Sequence, residues 1–292
     1  MQDLLFVLLQ YLLPQHLISR LIGHLADSQQ PWLRDMLIRQ FIRAYDVDLS
    51  EAERESPDDY ANFNDFFTRA LKADARPLAD ADDAIVCPAD GCVSQIGRLR
   101  ADRLLQAKGR EFSVLELIGG DVELAQSFHH GHFATIYLSP RDYHRVHMPL
   151  AGTLRRMIHI PGDLFSVNAD TTREVPQLFA RNERLVCLFE TACGPMAVIL
   201  VGAMIVAGIE TVWSGLVTPR GRRAQSFFYA DRVAPVQLAR GAEMGRFRLG
   251  STAIVLLPAG ISGWHTDLDA GRQVRMGESL GRCSPSPGAT SS

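Results

Sequence analysis

From residue 84 to residue 257 the chain is a series of short apolar runs punctuated by glycine, and this texture restricts its fold more than any other feature. The runs lie at 84–86, 92–96, 134–138, 184–190, 196–206, 209–213 and 253–257. Their length and β-branched content favour strands over helices. Helical spacing is confined to the front. Residues 4–13 are almost wholly apolar, with Gln10 inside and Pro14 closing the stretch. Leu17, Ile18, Leu21, Ile22 and Leu25 then recur with helical period, opposed by Gln15, Ser19, Arg20 and Gly23. A third stretch carries Trp32, Leu33, Met36, Leu37, Phe41 and Ile42, with Arg34, Arg39 and Arg43 mostly on other faces. An acidic connector at 46–60 contains Pro57, and 63–71 reads as a short helix. Residues 114–117 read as a helical insert with Ser113 as N-cap. The expected fold class is α+β, with helices in front and a mostly antiparallel β core behind. The expected divisions are a helical region at 1–45, a connector and short helix at 46–83, a β-rich core at 84–283 and a tail of disordered composition at 284–292.

The 292 residues, 47% of them hydrophobic, suffice to bury a substantial core. A net charge of −3 gives no electrostatic case for nucleic acid. The five cysteines are scattered and form no CxxC pair, so they read as buried thiols of a reducing cytoplasm rather than a disulfide framework or zinc site. The stretch at 4–13 is too short to span a bilayer, which takes about 20 apolar residues. With Asp3 and no Lys or Arg before Arg20, it also lacks the form of an export signal. The front helices therefore read as an in-plane membrane anchor whose arginines meet anionic headgroups; helices packed on the core are the alternative.

Four residues near the C-terminus, Leu249-Gly250-Ser251-Thr252, carry a possible chemistry. Gly250 places no side chain around its carbonyl, so the Ser251 hydroxyl can attack it if the turn is held tightly. The resulting ester can eliminate to dehydroalanine and hydrolyse to a pyruvoyl group. A simple Gly-Ser turn into a buried strand is the competing reading. Asp90 stands in an Asp-Gly turn dipeptide. His144 and His147 would share a helix face, but Pro140 and Pro149 leave little room for one, and no third ligand is suitably spaced. We therefore expect catalytic imidazoles and no metal. His129, His130 and His132 read as solvated residues of a loop.

Residues 245–257, GRFRLGSTAIVLL, resemble the processing site of phosphatidylserine decarboxylases of the membrane-associated bacterial type. Four further segments match in order. They are Phe66-Phe67-Thr68-Arg69 with Arg76-Pro77, then Cys87-Pro88-Ala89-Asp90-Gly91, then SPRDYHRVHMP at 139–149, and finally Val201-Gly202-Ala203 with Glu210-Thr211-Val212. The likeness runs from about residue 35 to about residue 282. It implies a charge relay in which Asp90 orients His147, and His147 deprotonates Ser251 for attack on Gly250. It assigns His144 to decarboxylation. Phe165, Val167 and Asn168, within 161–168, resemble the substrate-pocket loop, and Ser251 becomes the pyruvoyl cofactor. The implied reaction converts phosphatidylserine to phosphatidylethanolamine and CO2 through a Schiff base. The implied product of cleavage at 250/251 is an α and a β chain from one precursor, with a dimer of such heterodimers left open. The implied location is the cytoplasmic face of the inner membrane, peripherally bound to an anionic surface.

Two rivals remain at this stage. A serine hydrolase could use Ser251, His147 and Asp90 on an external ester, although no G-x-S-x-G elbow surrounds the serine. A non-enzymatic membrane-surface module would carry an inert processing site.

Overall fold

The structure, a computed structural model, describes residues 10–11, 13–107, 109–204, 208–218, 221, 223–249, 251–261 and 263–283, the side chains of Ala169 and Ser251 excepted. The tail at 284–292 and most of the stretch at 4–13 lie outside the described residues, as does Gly250.

Two helices come first, α1 (Gln15–Ala26) and α2 (Pro31–Tyr45); α3 (Phe63–Phe67) follows the acidic connector. Pro31 occupies the first turn of α2, where its missing N–H is no loss, and Asp46 ends the helix in a left-handed conformation. The side chain of Asn62 caps α3 by accepting the Asp65 amide. That helix stops at Phe67, short of the 63–71 expected. Ala26, Ile38, Tyr60, Phe63, Phe66 and Phe67 form a common core that also takes in Leu249 from far along the chain.

The orientation of α1 inverts the usual amphipathic arrangement. Gln15, Ser19 and Gly23 are buried, whereas Leu17, Leu21 and Leu25 are 57%, 56% and 51% exposed. Among the described residues no helix is long and apolar enough to cross a membrane.

The remainder is the β core of an α+β protein. Nine of its strands matter most for the site: β1 (Gly91–Arg98), β2 (His132–Leu138), β3 (Arg145–His147), β4 (Gly152–Ile160), β5 (Arg184–Thr191), β6 (Gly194–Val201), β7 (Gly208–Thr211), β8 (Glu243–Arg248) and β9 (Ser251–Leu257). The main sheet has nine strands. Eight run in the order Gln225–Phe228, β4, β5, β6, β9, β2, β1, Gln273–Val274, and Gln237–Leu238 also pairs with β4. A four-stranded sheet runs Gly215–Leu216, β7, β8, β3. Every ladder between these strands is antiparallel.

β9 lies inside the main sheet, and alternate side chains enter different cores. Ile254 and Leu256 pack with Phe133 and Ile199, while Ala253, Val255 and Leu257 pack with Met196 and Phe247. Burial on both faces is why 253–257 reads as an unbroken apolar run. The run at 196–206 is a strand only as far as Val201, and residues 205–207 lie outside the described set. β4 escaped the sequence reading because Arg155 and Arg156 interrupt its apolar residues.

Two expectations need correction. Cys193 and Cys283 are paired as a disulfide, with Cα atoms 6.2 Å apart across 90 residues of sequence. The turn after β5 meets the residue following the strand Ser279–Arg282, a proximity that no local spacing signals. Cys87 and Cys187 are buried free thiols, as expected. His132 is not solvated. It opens β2, is buried, and meets the edge of Trp264.

Candidate active site

The chain leaves the four-stranded sheet with Arg248, the end of β8, and enters the main sheet with Ser251, the start of β9. The expected cleavage bond falls at this crossing. On its β8 side Leu249 is buried with φ 78°, a left-handed conformation that residues with a Cβ rarely adopt. On its β9 side Ser251 pairs through its backbone with Leu138 of β2, its side chain lying outside the described residues. Thr252, next along, is fully buried between β2 and β6, and its Oγ1 has no hydrogen-bond partner.

β3 brings His147 and its neighbours alongside β8, with His147 opposite Glu243. His147 ends the strand β3 and His144 immediately precedes it, so the two do not lie on the helix on which they would share a face. His147 is held at both ring nitrogens. Nδ1 is 2.8 Å from the Gly241 carbonyl and Nε2 is 3.0 Å from the Tyr143 hydroxyl. A carbonyl can only accept, so Nδ1 carries the proton and Nε2 presents its lone pair to the Tyr143 O–H. Burial lowers the His147 pKa, partly offset by the Gly241 hydrogen bond and by the fields of Glu243 and Asp90. The ring is thus a neutral base with its tautomer set. Burial raises the Tyr143 pKa, so its hydroxyl stays protonated.

Asp90 sits in the turn leading into β1. Gly91 follows because the backbone runs hard against β2, where a Cβ would come 2.2 Å from the Tyr137 carbonyl oxygen. The carboxylate does not contact His147. It accepts from Arg76 Nε at 2.9 and 3.0 Å, from Arg76 Nη2 at 2.6 Å and from the Met276 amide at 2.8 Å. The orienting bond to His147 that the resemblance implied is made by the Gly241 carbonyl, and Asp90 reaches the ring only through its field.

His144 is completely buried and stacks on Phe67 of α3, the ring centroids 4.0 Å apart. Its Nε2 lies 3.4 Å from the Pro140 carbonyl, and its Nδ1 has no partner. Burial and the nearby Arg69 guanidinium lower its pKa to about 3, so it too is neutral. Its own carbonyl accepts the Phe247 amide, two residues before Leu249. Phe67 and Leu249 share the helical core, so α3 joins His144 to the crossing.

Sequence reasoning singled out neither Tyr143 nor Arg76 as a functional partner. Arg69 is another such residue. It is buried, lies over the Phe66 ring, and donates from Nη2 to the Arg141 carbonyl at 3.1 Å. Phe165 and Val167 are buried in the core on one face of the main sheet. Asn168 instead caps the helix Ala169–Glu174, its side chain accepting the Thr171 amide.

The chain matches known proteins along nearly its whole length. A family model described as phosphatidylserine decarboxylase matches residues 63–282, and one described as PSD matches residues 5–46. The chain belongs to the phosphatidylserine decarboxylase family and is thereby classed with the carboxy-lyases. Among its relatives, the phosphatidylserine decarboxylase proenzyme of Ectopseudomonas mendocina is 59% identical over 282 residues, covering 96% of this chain and 99% of the relative. The proenzyme of the same name from Azotobacter vinelandii is 58% identical, covering 97% and 100%. That of Bordetella pertussis is 60% identical, covering 96% and 94%.

Proposed function

We propose that this chain is a precursor that cleaves itself between Gly250 and Ser251 and then decarboxylates phosphatidylserine to phosphatidylethanolamine. The observation that carries the reading is the strained Leu249 at the crossing between sheets. A left-handed non-glycine residue costs on the order of 1–3 kcal/mol and persists only where surrounding structure enforces it. Here the helical core holds Leu249, and two ladders hold β9. Strain next to a peptide bond is relieved when that bond breaks.

In this reading the Ser251 hydroxyl attacks the Gly250 carbonyl carbon and its proton passes to His147 Nε2, once Tyr143 gives up that nitrogen. The C–N bond breaks, the amine takes the proton, and an ester results. Elimination then frees the Gly250 carboxylate and leaves dehydroalanine, which loses ammonia on hydrolysis. Asp90 acts on His147 by its field and by holding the turn ahead of β1.

A pyruvoyl group at position 251 supplies an electrophilic carbonyl and an electron sink for loss of CO2 from an amino-acid headgroup. Two buried polar atoms of this segment stand without partners, Thr252 Oγ1 next in the chain and Nδ1 of His144, whose carbonyl accepts the Phe247 amide. His144 Nδ1 is the nitrogen available to exchange a proton with substrate. The resemblance assigns Phe165 and Val167 to the substrate loop, and both are buried in the core on one face of the main sheet.

The exposed Leu13, Leu17, Leu21 and Leu25, spaced four apart, with Trp32 and Met36, suit a peripheral seat in the lipid interface at the cytoplasmic face of the inner membrane. Arg39 is engaged by Asp58 and Arg34 by Asp35, so of the four arginines Arg20 and Arg43 remain for anionic lipid. The test is a reducing denaturing gel with mass spectrometry. Wild type should give chains of 250 and 42 residues, the smaller blocked at its N-terminus. Ser251→Ala should stay whole and inactive; cleavage of that variant at the same bond would defeat the mechanism.

A further inference from the structure

Residues 161–168 have almost no regular structure of their own, yet three successive amides in this loop are each satisfied by a side-chain amide. The Leu164 N–H donates to Gln15 Oε1 at 2.6 Å, Phe165 N–H to Asn182 Oδ1 at 3.1 Å, and Ser166 N–H to Gln10 Oε1 at 2.8 Å. Gln15 Nε2 in turn donates to the Gln10 carbonyl at 2.8 Å, and His16 Nε2 lies 3.0 Å from the Gly162 carbonyl. Tyr11 packs its ring 4.8 Å from that of Phe165.

Gln10 and Gln15 are 1% and 9% exposed, which is unusual for glutamine. Gln15 opens α1, whose opposite face carries the exposed Leu17, Leu21 and Leu25, and Gln10 stands just before it in the chain. The front segment therefore has leucines of α1 turned outward while Gln15 of α1 and the preceding Gln10 are bonded to the loop. The far side of the loop leads to the candidate site. Asn182 Nδ2 donates to the carbonyls of Phe165 and Gly202, both at 2.9 Å, and Val201 pairs with Thr252 in β9.

We propose that Gln10 and Gln15 are positioning residues that couple docking of α1 on a lipid bilayer to the conformation of the loop 161–168, and hence to turnover. The inference rests on the function proposed above. In this arrangement the leucine face anchors the helix and the two glutamines fix the Leu164 and Ser166 amides. A bilayer that seats the helix thereby orders the substrate loop. Off the membrane the same bonds open more often, because the exposed Leu17, Leu21 and Leu25 then have no bilayer to seat them.

The experiment compares wild type with Gln10→Met/Gln15→Met, both self-processed, on vesicles of phosphatidylcholine containing phosphatidylserine and on short-chain phosphatidylserine dispersed in detergent. The double variant should sediment with vesicles as wild type does. Its kcat on vesicles should fall about tenfold, to near the wild-type kcat on dispersed substrate. Gln15→Glu, which keeps an acceptor for the Leu164 amide, should recover part of the loss. Amide exchange in the peptide covering 161–168 of wild type should slow about tenfold when vesicles are added. Equal kcat for variant and wild type on vesicles overturns the coupling, as does exchange at 161–168 indifferent to vesicles. The exchange measurement needs no variant, so misfolding of the double variant does not blunt the test. A wild type inactive on both substrates sinks the functional reading instead.

Discussion

The Arg76–Asp90 pair offers the sharpest quantitative test, because the geometry around it is closed. Asp90 is 8% exposed and takes three of its four hydrogen bonds from one guanidinium. Arg76→Met removes all three and leaves a buried carboxylate with a single amide donor. Breaking a buried pair from one side costs about 3–5 kcal/mol, because the remaining charge stays desolvated. Arg76 also bonds Glu51, but that carboxylate is 38% exposed, so its loss adds about 0–1 kcal/mol. The variant should therefore lose about 3–6 kcal/mol in urea unfolding followed by tryptophan fluorescence. The measurement is made in Ser251→Ala so that one chain unfolds. Asp90→Asn should cost less than Arg76→Met, and the double variant should recover at least about 2 kcal/mol of the summed losses. A loss below about 1 kcal/mol for Arg76→Met, or strict additivity, would refute the claim that this is a buried, coupled pair. If Asp90 acts mainly by holding its turn, Arg76→Met in the Ser251 chain should slow cleavage about as much as Asp90→Asn does.

Three further outcomes follow from the site. His147→Ala should accumulate uncleaved chain on a reducing gel, whereas His144→Ala should still cleave while turning over lipid poorly; equal failure of cleavage in both would dissolve that division. The Ser251→Ala chain should lose stability as pH falls. Unfolded His144 titrates near its ordinary 6.5 but folded His144 near 3, so the unfolded state binds more protons in between. Its contribution is complete above about pH 6.5 and declines towards pH 3 by about 1.4 kcal/mol per unit. His144→Gln should flatten that slope in urea titrations, and an unchanged slope would show the ring is not buried neutral. Finally, the Cys193–Cys283 bond joins the two expected fragments, so processed protein should run as one band without reductant and two with it. Cys283→Ser should abolish the difference.

Much of the fold was legible because both faces of strands such as β2 and β9 are buried, leaving continuous apolar runs in the sequence. β4 and β8 were not, since Arg155, Arg156, Arg246 and Arg248 interrupt them where one face meets polar surroundings. The motif residues stood out through resemblance, but their partners did not. Arg76 and Asp90 are separated by 14 positions, and Tyr143 reaches His147 through a chain that is extended rather than helical. The front helices show the limit of periodicity most plainly. The apolar stripe opposed by Gln15, Ser19, Arg20 and Gly23 was visible, but not which face turned inward, because burying Gln15 and Gln10 depends on amide donors at 164 and 166.

The place of β9 in the main sheet has a consequence for the protein after cleavage. In the proposed cleavage the smaller fragment would begin with this strand, which is bonded along one edge to β2 and along the other to β6, both on the larger fragment's side of the bond. The proposed break would therefore be a nick in a backbone and not a seam between bodies. Neither piece keeps a complete sheet without the other, since withdrawing the strand would bare two ladder edges and two core faces at once. The mature molecule should melt in a single cooperative step and should not exchange its short fragment with added copies. If the proposed cleavage occurs, the strand order requires the intact precursor to fold first and be cut second.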